Sequence, residues 1–328
     1  MRQVPARRSV RVARIRVKGK IRATFVASLL LVSFAPVPQS LTLQSPQTMF
    51  RAKTKMGVIS YWGVNEQWYN EIPRYSLAII NPNNGIFVTN NFPFWPNRLV
   101  ENLEEYKRIV RNQYNRDVEM LGYVPTGYFK HNCGFFAKTS CQRWSTIEAQ
   151  VRSYFKHMPR LKGIFFDETA QESWDCSQVK KEYTRLREIV QKYEKELKSK
   201  KALIVFNPGV AHECVVQGVV EGEIAMVEDD MEDYKLKGQE IKSHTDNLHK
   251  KGALAWHVVH TAPNQGDMQS VILEARERGA DYAYVVPKGS GKDRNGKFIN
   301  TWGEFPPYWA EMVKLFKAIQ DDGTVSRE

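Results

Sequence analysis

Acidic residues are missing from the start of the chain. The first 55 of the 328 residues contain no Asp or Glu but twelve Lys and Arg, whereas the remaining residues carry 36 basic and 36 acidic side chains. The high pI of about 9.4 therefore comes from the N-terminal stretch alone. Because a nucleic-acid surface requires a basic excess on the folded part of a protein, we expect no nucleic-acid partner.

The N-terminal stretch also lacks an apolar run long enough to cross a bilayer. Its apolar segment, 23–35, follows nine basic residues that end at Arg22 and is followed closely by two prolines. The segment is shorter than the roughly 20 residues of a membrane span, which favours a secretory signal. We predict a leader over 1–45, a linker over 46–55, a secreted or cell-surface protein, and no stable membrane insertion once the leader is cleaved. An organellar transit peptide and an uncleaved membrane tether are the alternatives.

Cysteine is scarce, and none of the four cysteines has the spacing of a metal site. In an exported protein an even number of cysteines predicts disulfides. Cys133 with Cys141 would close a short loop, and Cys176 with Cys214 would join loops that follow consecutive strands. Four free thiols in a reducing compartment are the alternative. The chain contains no Asn-x-Ser/Thr sequon, so glycosylation does not help to locate it.

The folded part, predicted over 56–328, alternates short apolar runs with longer amphipathic stretches. Eight such repeats in roughly 270 residues predict an α/β protein with a single (β/α)8 TIM barrel. A doubly wound sheet is the competitor, but it would need a phosphate-binding turn after the first strand, and 61–65 is not one. The predicted strands are 57–62, 76–80, 119–124, 163–168, 202–206, 223–227, 252–259 and 283–286.

The fourth run, 163–168, leads directly into two adjacent carboxylates, Asp167 and Glu168. A continuous apolar run is typical of a strand buried on both faces, and the C-terminal ends of barrel strands are where active sites are built. Successive strand residues point in opposite directions, so only one of the two acids can face the barrel axis. Solvated loop residues or helix caps are the simpler alternative.

Other predicted strands also end in polar groups that suit a sugar. Asn81, Tyr123 and Asn207 can donate to or accept from ring hydroxyls, and Trp62 and Trp256 lie where an indole could stack on a pyranose. The Asn-Pro pairs after two strands also have a structural explanation, since proline ends a strand. We expect substrate contacts from Trp62, Asn81, Tyr123, Tyr128, Asn207 and Trp256.

Two carboxylates in different environments are the minimum for glycoside hydrolysis. A retaining enzyme holds them about 5 Å apart, one ionised as nucleophile and one protonated as acid. Strands four and six flank strand five, so Asp167 and Glu228 can face each other across the barrel mouth. The negative charge of one and partial burial would raise the pKa of the other.

Two motifs are rejected as cofactor or metal sites. The segment 291–297 matches part of a phosphate loop, but Phe298 replaces the required Ser or Thr, and Asn295-Gly296 favours a tight turn. His257 and His260 are three residues apart and would lie on opposite faces of a strand. We therefore predict no cofactor and no metal.

Taken together, the strand ends resemble the spherulin 4-like proteins (spherulation-specific family 4), which include glycoside hydrolases. The resemblance extends from Gly57 to Pro287 and is carried by the sequences at 79–83, 121–128, 163–168 and 207–209 and by the acid after strand six.

The resemblance implies a (β/α)8 barrel and endo-acting cleavage of α-1,4-linked N-acetylgalactosamine in microbial galactosaminogalactan. It also implies that the catalytic groups are Asp167, Glu168 and Glu228. We predict Asp167 as nucleophile, Glu228 as acid/base, and Glu168 as a positioning or electrostatic partner. Strand six ends in three consecutive acids, so Asp229 or Asp230 would be the partner if the register differed. The loop at Cys133–Cys141 and the insert around 92–97 are local elaborations that could reshape the cleft.

Two other functions fit the same pattern. A carbohydrate-binding or wall-associated protein could use the barrel without catalysis, since fold does not fix function. A metal-assisted hydrolase could use Asp167, Glu228 and Asp230. The leading prediction is a retaining endo-glycosidase that acts on a galactosamine or N-acetylgalactosamine polysaccharide.

Overall fold

The computed structural model describes most of the chain from residue 53 to residue 321. The predicted leader and the loop that carries Cys133 and Cys141 lie outside the described residues, as does the insert at 92–97. The described ranges are 53–69, 71–85, 88–89, 98–129, 142–170, 174–196, 201–289, 291–292 and 298–321.

Eight parallel strands form a closed barrel in which each strand pairs with its sequence neighbours and the last pairs with the first. All eight predicted strands are present, so the predicted TIM barrel is confirmed. The sixth strand is longer than predicted and runs through all three acids at its end. The strands are β1 (Lys55–Val58), β2 (Leu77–Ile80), β3 (Glu119–Pro125), β4 (Gly163–Asp167), β5 (Leu203–Phe206), β6 (Ile224–Asp230), β7 (Leu254–His260) and β8 (Tyr282–Val285).

Helices surround the barrel and bury one apolar stripe each against the strands. In the longest, α3, Val179, Tyr183 and Leu186 are fully buried at the three- and four-residue spacing of a helix face. The helices are α1 (Leu103–Asn115), α2 (Trp144–His157), α3 (Cys176–Glu196), α4 (Glu213–Gly218), α5 (Met231–Leu236), α6 (Gly238–Lys250), α7 (Gln265–Glu277) and α8 (Trp309–Asp321).

The interior of the barrel is filled by side chains from alternate residues of each strand. Phe165 of β4 stacks on Tyr123 of β3, with ring centroids 5.9 Å apart, and meets Trp256 of β7 edge-on at the same distance. A Cβ on Gly57 of β1 would lie 2.5 Å from the Trp256 ring. Because these strands are not all neighbours, their side chains meet only inside the barrel, which fixes the inward face of each strand.

The predicted stacking roles of Trp62 and Trp256 are wrong. Trp256 is fully buried in the barrel interior, and Trp62 is 2% exposed. The Trp62 ring packs against Trp68, Phe305 and Trp309, with centroids 4.5 to 5.8 Å apart. Neither indole has a face available to a sugar.

The disulfide between Cys176 and Cys214 is present and joins the start of α3 to α4. This confirms one of the two predicted pairs. The bond ties together the connections that follow β4, which ends in Asp167, and β5, which is followed directly by Asn207.

The rejected phosphate-loop segment forms part of a small hairpin. Gly291–Lys292 pairs antiparallel with Phe298–Ile299, and the turn itself lies outside the described residues. A second short pair joins Val88–Thr89 to Arg98–Leu99. Within the described ranges no helix combines the length and apolar character needed to traverse a bilayer.

Candidate active site

Four consecutive strands deliver polar side chains to the mouth of the barrel. Side chains on one face of a strand recur every two residues, so Asp167 lies on the same inner face as Phe165, and His260 on the same inner face as Trp256. The pairing of β5 with β4 and of β6 with β7 places Asn207 and Glu228 on the inner face as well. They surround an open pocket of about 620 Å³. Its lining comprises Tyr128, Asp167, Glu168, Ala170, Asn207, Pro208, Gly209, Val210, Glu228 and His260.

Asp167 accepts three hydrogen bonds. Its Oδ2 accepts from the Tyr123 hydroxyl at 2.6 Å, and its Oδ1 accepts from Asn207 Nδ2 at 2.8 Å and from the Glu168 backbone N–H at 2.9 Å. Tyr61 is in turn hydrogen-bonded to Tyr123. Burial raises the pKa of Asp167, and the three hydrogen bonds act against that rise because they stabilise the ionised form.

Asn207 connects the two principal carboxylates. Its side-chain nitrogen donates to Asp167 Oδ1 at 2.8 Å and to Glu228 Oε2 at 3.0 Å. Its oxygen accepts from the backbone N–H of Gly209 at 2.8 Å, which fixes the orientation of the amide. Because the two bonds share one nitrogen, Asp167 Oδ1 and Glu228 Oε2 lie within about 6 Å of each other, so the two carboxylates form a pair at one site.

Glu228 is the carboxylate that holds its proton. Burial, and then the negative charge of Asp167, raise its pKa from 4.5 to about 7, while the hydrogen bond from Asn207 acts in the opposite direction. Two carboxylates with different proton affinities at one site can serve as a base or nucleophile and as an acid. The predicted partnership of Asp167 with Glu228 thus has a physical basis in their environments.

Glu168 has an unusual backbone conformation. Its φ is 57°, a left-handed value that is uncommon for a residue other than glycine. The carbonyl oxygen of Glu168 accepts from the Thr126 hydroxyl at 2.7 Å and from the Tyr128 backbone N–H at 3.0 Å. These bonds stabilise the turn and leave Glu168 on the pocket wall beside Asp167, which faces the axis.

The remaining predicted sugar-binding residues are divided between the pocket and its surroundings. Tyr128 lines the pocket, and Tyr123 lies beneath Asp167. Asn81 directly follows β2 and is 7% exposed; its Oδ1 has no hydrogen-bond partner among the described residues. Asn81 is not part of the pocket lining.

His260 is a pocket residue that the sequence analysis did not identify. The strand was predicted to end at Val259, one residue too early, although counting in twos from Trp256 would have placed His260 on the inner face. Burial lowers the pKa of His260, and the charges of Asp230 and Asp229 act against that effect. His257 faces the opposite way, as predicted, and lies between the hydroxyls of Tyr234 and Thr245 at 2.9 Å each.

The two other acids at the end of β6 have different partners. Asp229 lies 3.3 Å from the Lys237 ammonium, and Asp230 caps α5 by accepting from the Asp233 backbone N–H at 2.9 Å. The carboxylate of Asp230 lies in a cluster with those of Asp229 and Asp233, and not with those of Asp167 and Glu228. The arrangement required for the metal-assisted alternative is therefore not the one observed, and Glu228 is the strand-six acid that lines the pocket.

Comparison with known proteins gives a family and a fold. The chain matches the model of the spherulation-specific family 4 over residues 62–316. A comparison with curated protein sequences gave no match. Among solved structures, Aspergillus clavatus Sph3 in complex with GalNAc is similar with a TM-score of 0.57 and 18% identity, over 81% of this chain and 98% of that one.

A GH5 cellulase affiliated with Bacteroidetes and linked with a polysaccharide utilization locus is also similar. It has a TM-score of 0.50 and 9% identity, over 85% of this chain and 93% of that one. At these identities the structural likeness establishes the barrel fold. The family match covers more than three quarters of the sequence, and the chain belongs to the spherulation-specific family 4.

Proposed function

We propose that this protein is a retaining endo-glycoside hydrolase that cleaves an α-1,4-linked galactosamine or N-acetylgalactosamine polysaccharide. The observation that carries the proposal is the amide of Asn207, which donates to both Asp167 and Glu228. It holds together two carboxylates of which one keeps its proton to about pH 7. The endo mode follows the family resemblance, and the pocket is open to solvent rather than enclosed.

In the first step Glu228 donates its proton to the glycosidic oxygen while Asp167 attacks the anomeric carbon. The bond from that carbon to the leaving oxygen breaks, and an ester to Asp167 forms. Oδ1 of Asp167 already accepts two hydrogen bonds, whereas Oδ2 accepts one, from Tyr123. Because a carboxylate oxygen has two lone pairs, Oδ2 has one available and is the attacking atom.

In the second step Glu228, now ionised, removes a proton from water, and the resulting hydroxide attacks the anomeric carbon. The ester bond breaks, Asp167 returns to its ionised form and Glu228 regains its proton. The three hydrogen bonds to Asp167 stabilise its ionised form. They therefore keep Asp167 ionised before it attacks and make it a better leaving group in this step. Glu168, on the pocket wall, adds negative charge close to the positively charged transition state.

The spacing of the carboxylates is compatible with the proposed retention. Retaining glycosidases hold their carboxyl groups about 5 to 5.5 Å apart, and inverting enzymes about 6.5 to 9.5 Å apart to admit a water. The shared donor, Asn207, limits the distance between Asp167 Oδ1 and Glu228 Oε2 to about 6 Å, which is compatible with the separation in retaining enzymes.

The substrate class follows the family resemblance and is supported by the GalNAc complex of the similar Aspergillus protein. The pocket supplies an amide, three carboxylates, a phenol and an imidazole for sugar hydroxyls. Export is part of the proposal, and the disulfide between Cys176 and Cys214 supports it because such bonds persist in oxidising compartments.

The test is product release from purified galactosaminogalactan by the wild type, Asp167→Asn and Glu228→Gln. Asp246→Asn, on the outer helix α6, is the matched control. We expect oligosaccharides from the wild type and the control but not from the two pocket variants. Nuclear magnetic resonance of the first product should show the α-anomer, since retention preserves the configuration.

Three outcomes would contradict the proposal. An initial β-anomer would overturn retention. Turnover by Asp167→Asn close to that of the wild type would overturn the assignment of the nucleophile. Glycan binding by a folded wild type that releases no product from any amino-sugar polysaccharide would indicate a carbohydrate-binding protein.

A further inference from the structure

A second cavity lies on the same face of the barrel as the catalytic pocket. It follows the C-terminal end of β8 and has a volume of about 350 Å³. We call it the β8 cavity. Its lining comprises Pro287, Lys288, Asn300, Thr301, Glu304, Phe305 and Pro307.

The wall between the two cavities is thin. His260 lines the catalytic pocket, and Gly289, next to Lys288 of the β8 cavity, packs against it. A Cβ on Gly289 would lie 2.9 Å from Thr261 Cγ2 and 3.6 Å from His260 Nδ1. The β8 cavity therefore lies on the His260 side of the catalytic pocket.

The lining of the β8 cavity combines an apolar floor with polar groups. Phe305 is held from behind by the rings of Trp62 and Trp309, and two prolines extend the apolar surface. Asn300 is exposed to solvent, whereas Thr301 is 7% exposed and its hydroxyl has no hydrogen-bond partner in the described part of the chain. A sugar ring needs both an apolar surface for its C–H face and polar partners for its hydroxyls.

The Thr301 hydroxyl has almost no accessible surface, so it reaches a ligand only when the Thr301 side chain rotates towards the cavity. A buried hydroxyl without a partner is costly, and a hydrogen bond to a ligand hydroxyl would offset that cost. At the rim, Lys288 lies 3.3 Å from Glu304, and both side chains are more than half exposed. An exposed pair of this kind contributes little stability, so it can open for an entering group without a large cost.

We propose that the β8 cavity is a second sugar subsite, which binds a pyranose unit of the same glycan chain at a distance from the bond that is cleaved. The inference rests on the proposed function, since it concerns the same chain of sugars. The Phe305 side binds the apolar face of the ring, and Asn300 and Thr301 hydrogen-bond its hydroxyls.

The test measures binding in the Asp167→Asn background, which separates affinity from turnover. Asn300→Ala and Thr301→Val remove the two polar groups, and Asn112→Ala on α1 and Thr184→Val on α3 are matched controls at exposed positions. The probes are a disaccharide and a heptasaccharide of α-1,4-linked N-acetylgalactosamine, titrated by calorimetry. The disaccharide is short enough to occupy the catalytic pocket alone.

We expect each β8-cavity variant to weaken heptasaccharide binding roughly three- to tenfold, the effect of one neutral hydrogen bond. Disaccharide binding and both control variants should match the Asp167→Asn parent. In the otherwise wild-type enzyme the same substitutions should raise KM for the heptasaccharide and leave the turnover of short substrates unchanged.

Two results would overturn the subsite. One is equal heptasaccharide affinity in the parent and both cavity variants. The other is an equal loss of affinity for the disaccharide, because the effect would then belong to the catalytic pocket. Failure of the proposed function is a different result: the wild type would release no product, while the binding comparison would still decide whether the β8 cavity holds a sugar.

Discussion

Asn207 determines the chemistry of the site because a single side chain contacts both carboxylates. Its hydrogen bonds lower the pKa of Asp167 and of Glu228, in each case against the larger effect of burial. The same amide therefore keeps Asp167 available as a nucleophile and prevents Glu228 from holding its proton too tightly to donate it.

Replacing Asn207 with Ala should shift the whole pH profile of activity upward. At pH values on the acidic side of the optimum Asp167 is protonated and cannot attack. On the basic side Glu228 has lost the proton that it must donate. Loss of the shared donor raises both pKa values, so both limbs of kcat/KM against pH should move to higher pH, with a lower maximum. Asn112→Ala is the control. Movement of only one limb would contradict the bridging role.

Tyr123 should affect one limb alone. Its hydroxyl donates to Asp167 Oδ2, and no hydrogen bond joins it to Glu228 among those described. Tyr123→Phe should therefore raise the pKa of Asp167 and move the acidic limb upward while the basic limb stays in place. We also expect kcat to fall about tenfold or more, since a hydrogen bond to a charged group is worth about 1.5–3 kcal/mol. An unchanged acidic limb in a folded variant would count against Asp167 as nucleophile.

At the scale of elements, the apolar runs were sufficient to predict all eight barrel strands. Alternation within a strand also predicted that only one of Asp167 and Glu168 would face the axis, and the structure assigns that place to Asp167. Of the strand ends selected for polar character, those with Asp167, Asn207 and Glu228 converge on the pocket, because parallel strands in a closed barrel end at one rim, whereas Asn81 does not line it.

What could not be predicted depends on contacts between distant parts of the chain. Whether an indole near a strand end faces solvent depends on what lies opposite, and the space for Trp256 is provided by Gly57, about 200 residues earlier. Trp62 is enclosed by Phe305 and Trp309 from the other end of the chain. The β8 cavity is formed by loops without periodicity, so no sequence pattern marks Thr301 as buried.

The contact between β1 and β7 can be tested directly. A methyl group on Gly57 would lie 2.5 Å from the Trp256 ring, and both residues are enclosed by the barrel. Gly57→Ala should therefore lower the free energy of unfolding by about 1–3 kcal/mol, the usual cost of overpacking. Urea denaturation followed by fluorescence measures the change.

The double variant Gly57→Ala/Trp256→Phe is the companion experiment, because the smaller ring leaves room for the methyl group. If overpacking is the cause, the cost of Gly57→Ala should be smaller in the Trp256→Phe background than in the wild type. An equal cost in both backgrounds would mean that the alanine acts through the backbone instead.

At the scale of the whole molecule, stability and function place opposite demands on the barrel. Its interior is apolar up to the level of Phe165 and Trp256, and a polar layer with two buried carboxylates closes the C-terminal end. Burial raises the pKa of both carboxylates, which means that their ionised forms destabilise the folded state. Catalytic sites commonly lower the stability of the folded protein in this way, because the groups that catalysis needs are costly to bury.

Glu228→Gln should therefore stabilise the protein above neutral pH. The pKa of Glu228 is raised from 4.5 to about 7 in the folded state, so the folded state holds the proton more tightly than the unfolded chain. Below about pH 4.5 both states are protonated and the wild type pays no penalty. Stability is then lost as the pH rises towards 7, by up to about 3 kcal/mol.

The glutamine variant has no carboxyl group to titrate and should lack this loss. Its free energy of unfolding should match that of the wild type near pH 4 and exceed it near pH 8, as measured by urea denaturation across that range. Glu221→Gln, at an exposed position before β6, is the control and should follow the wild type. If Glu228→Gln also follows the wild type at every pH, Glu228 does not hold its proton, and Asp167 would need another acid to protonate the departing sugar.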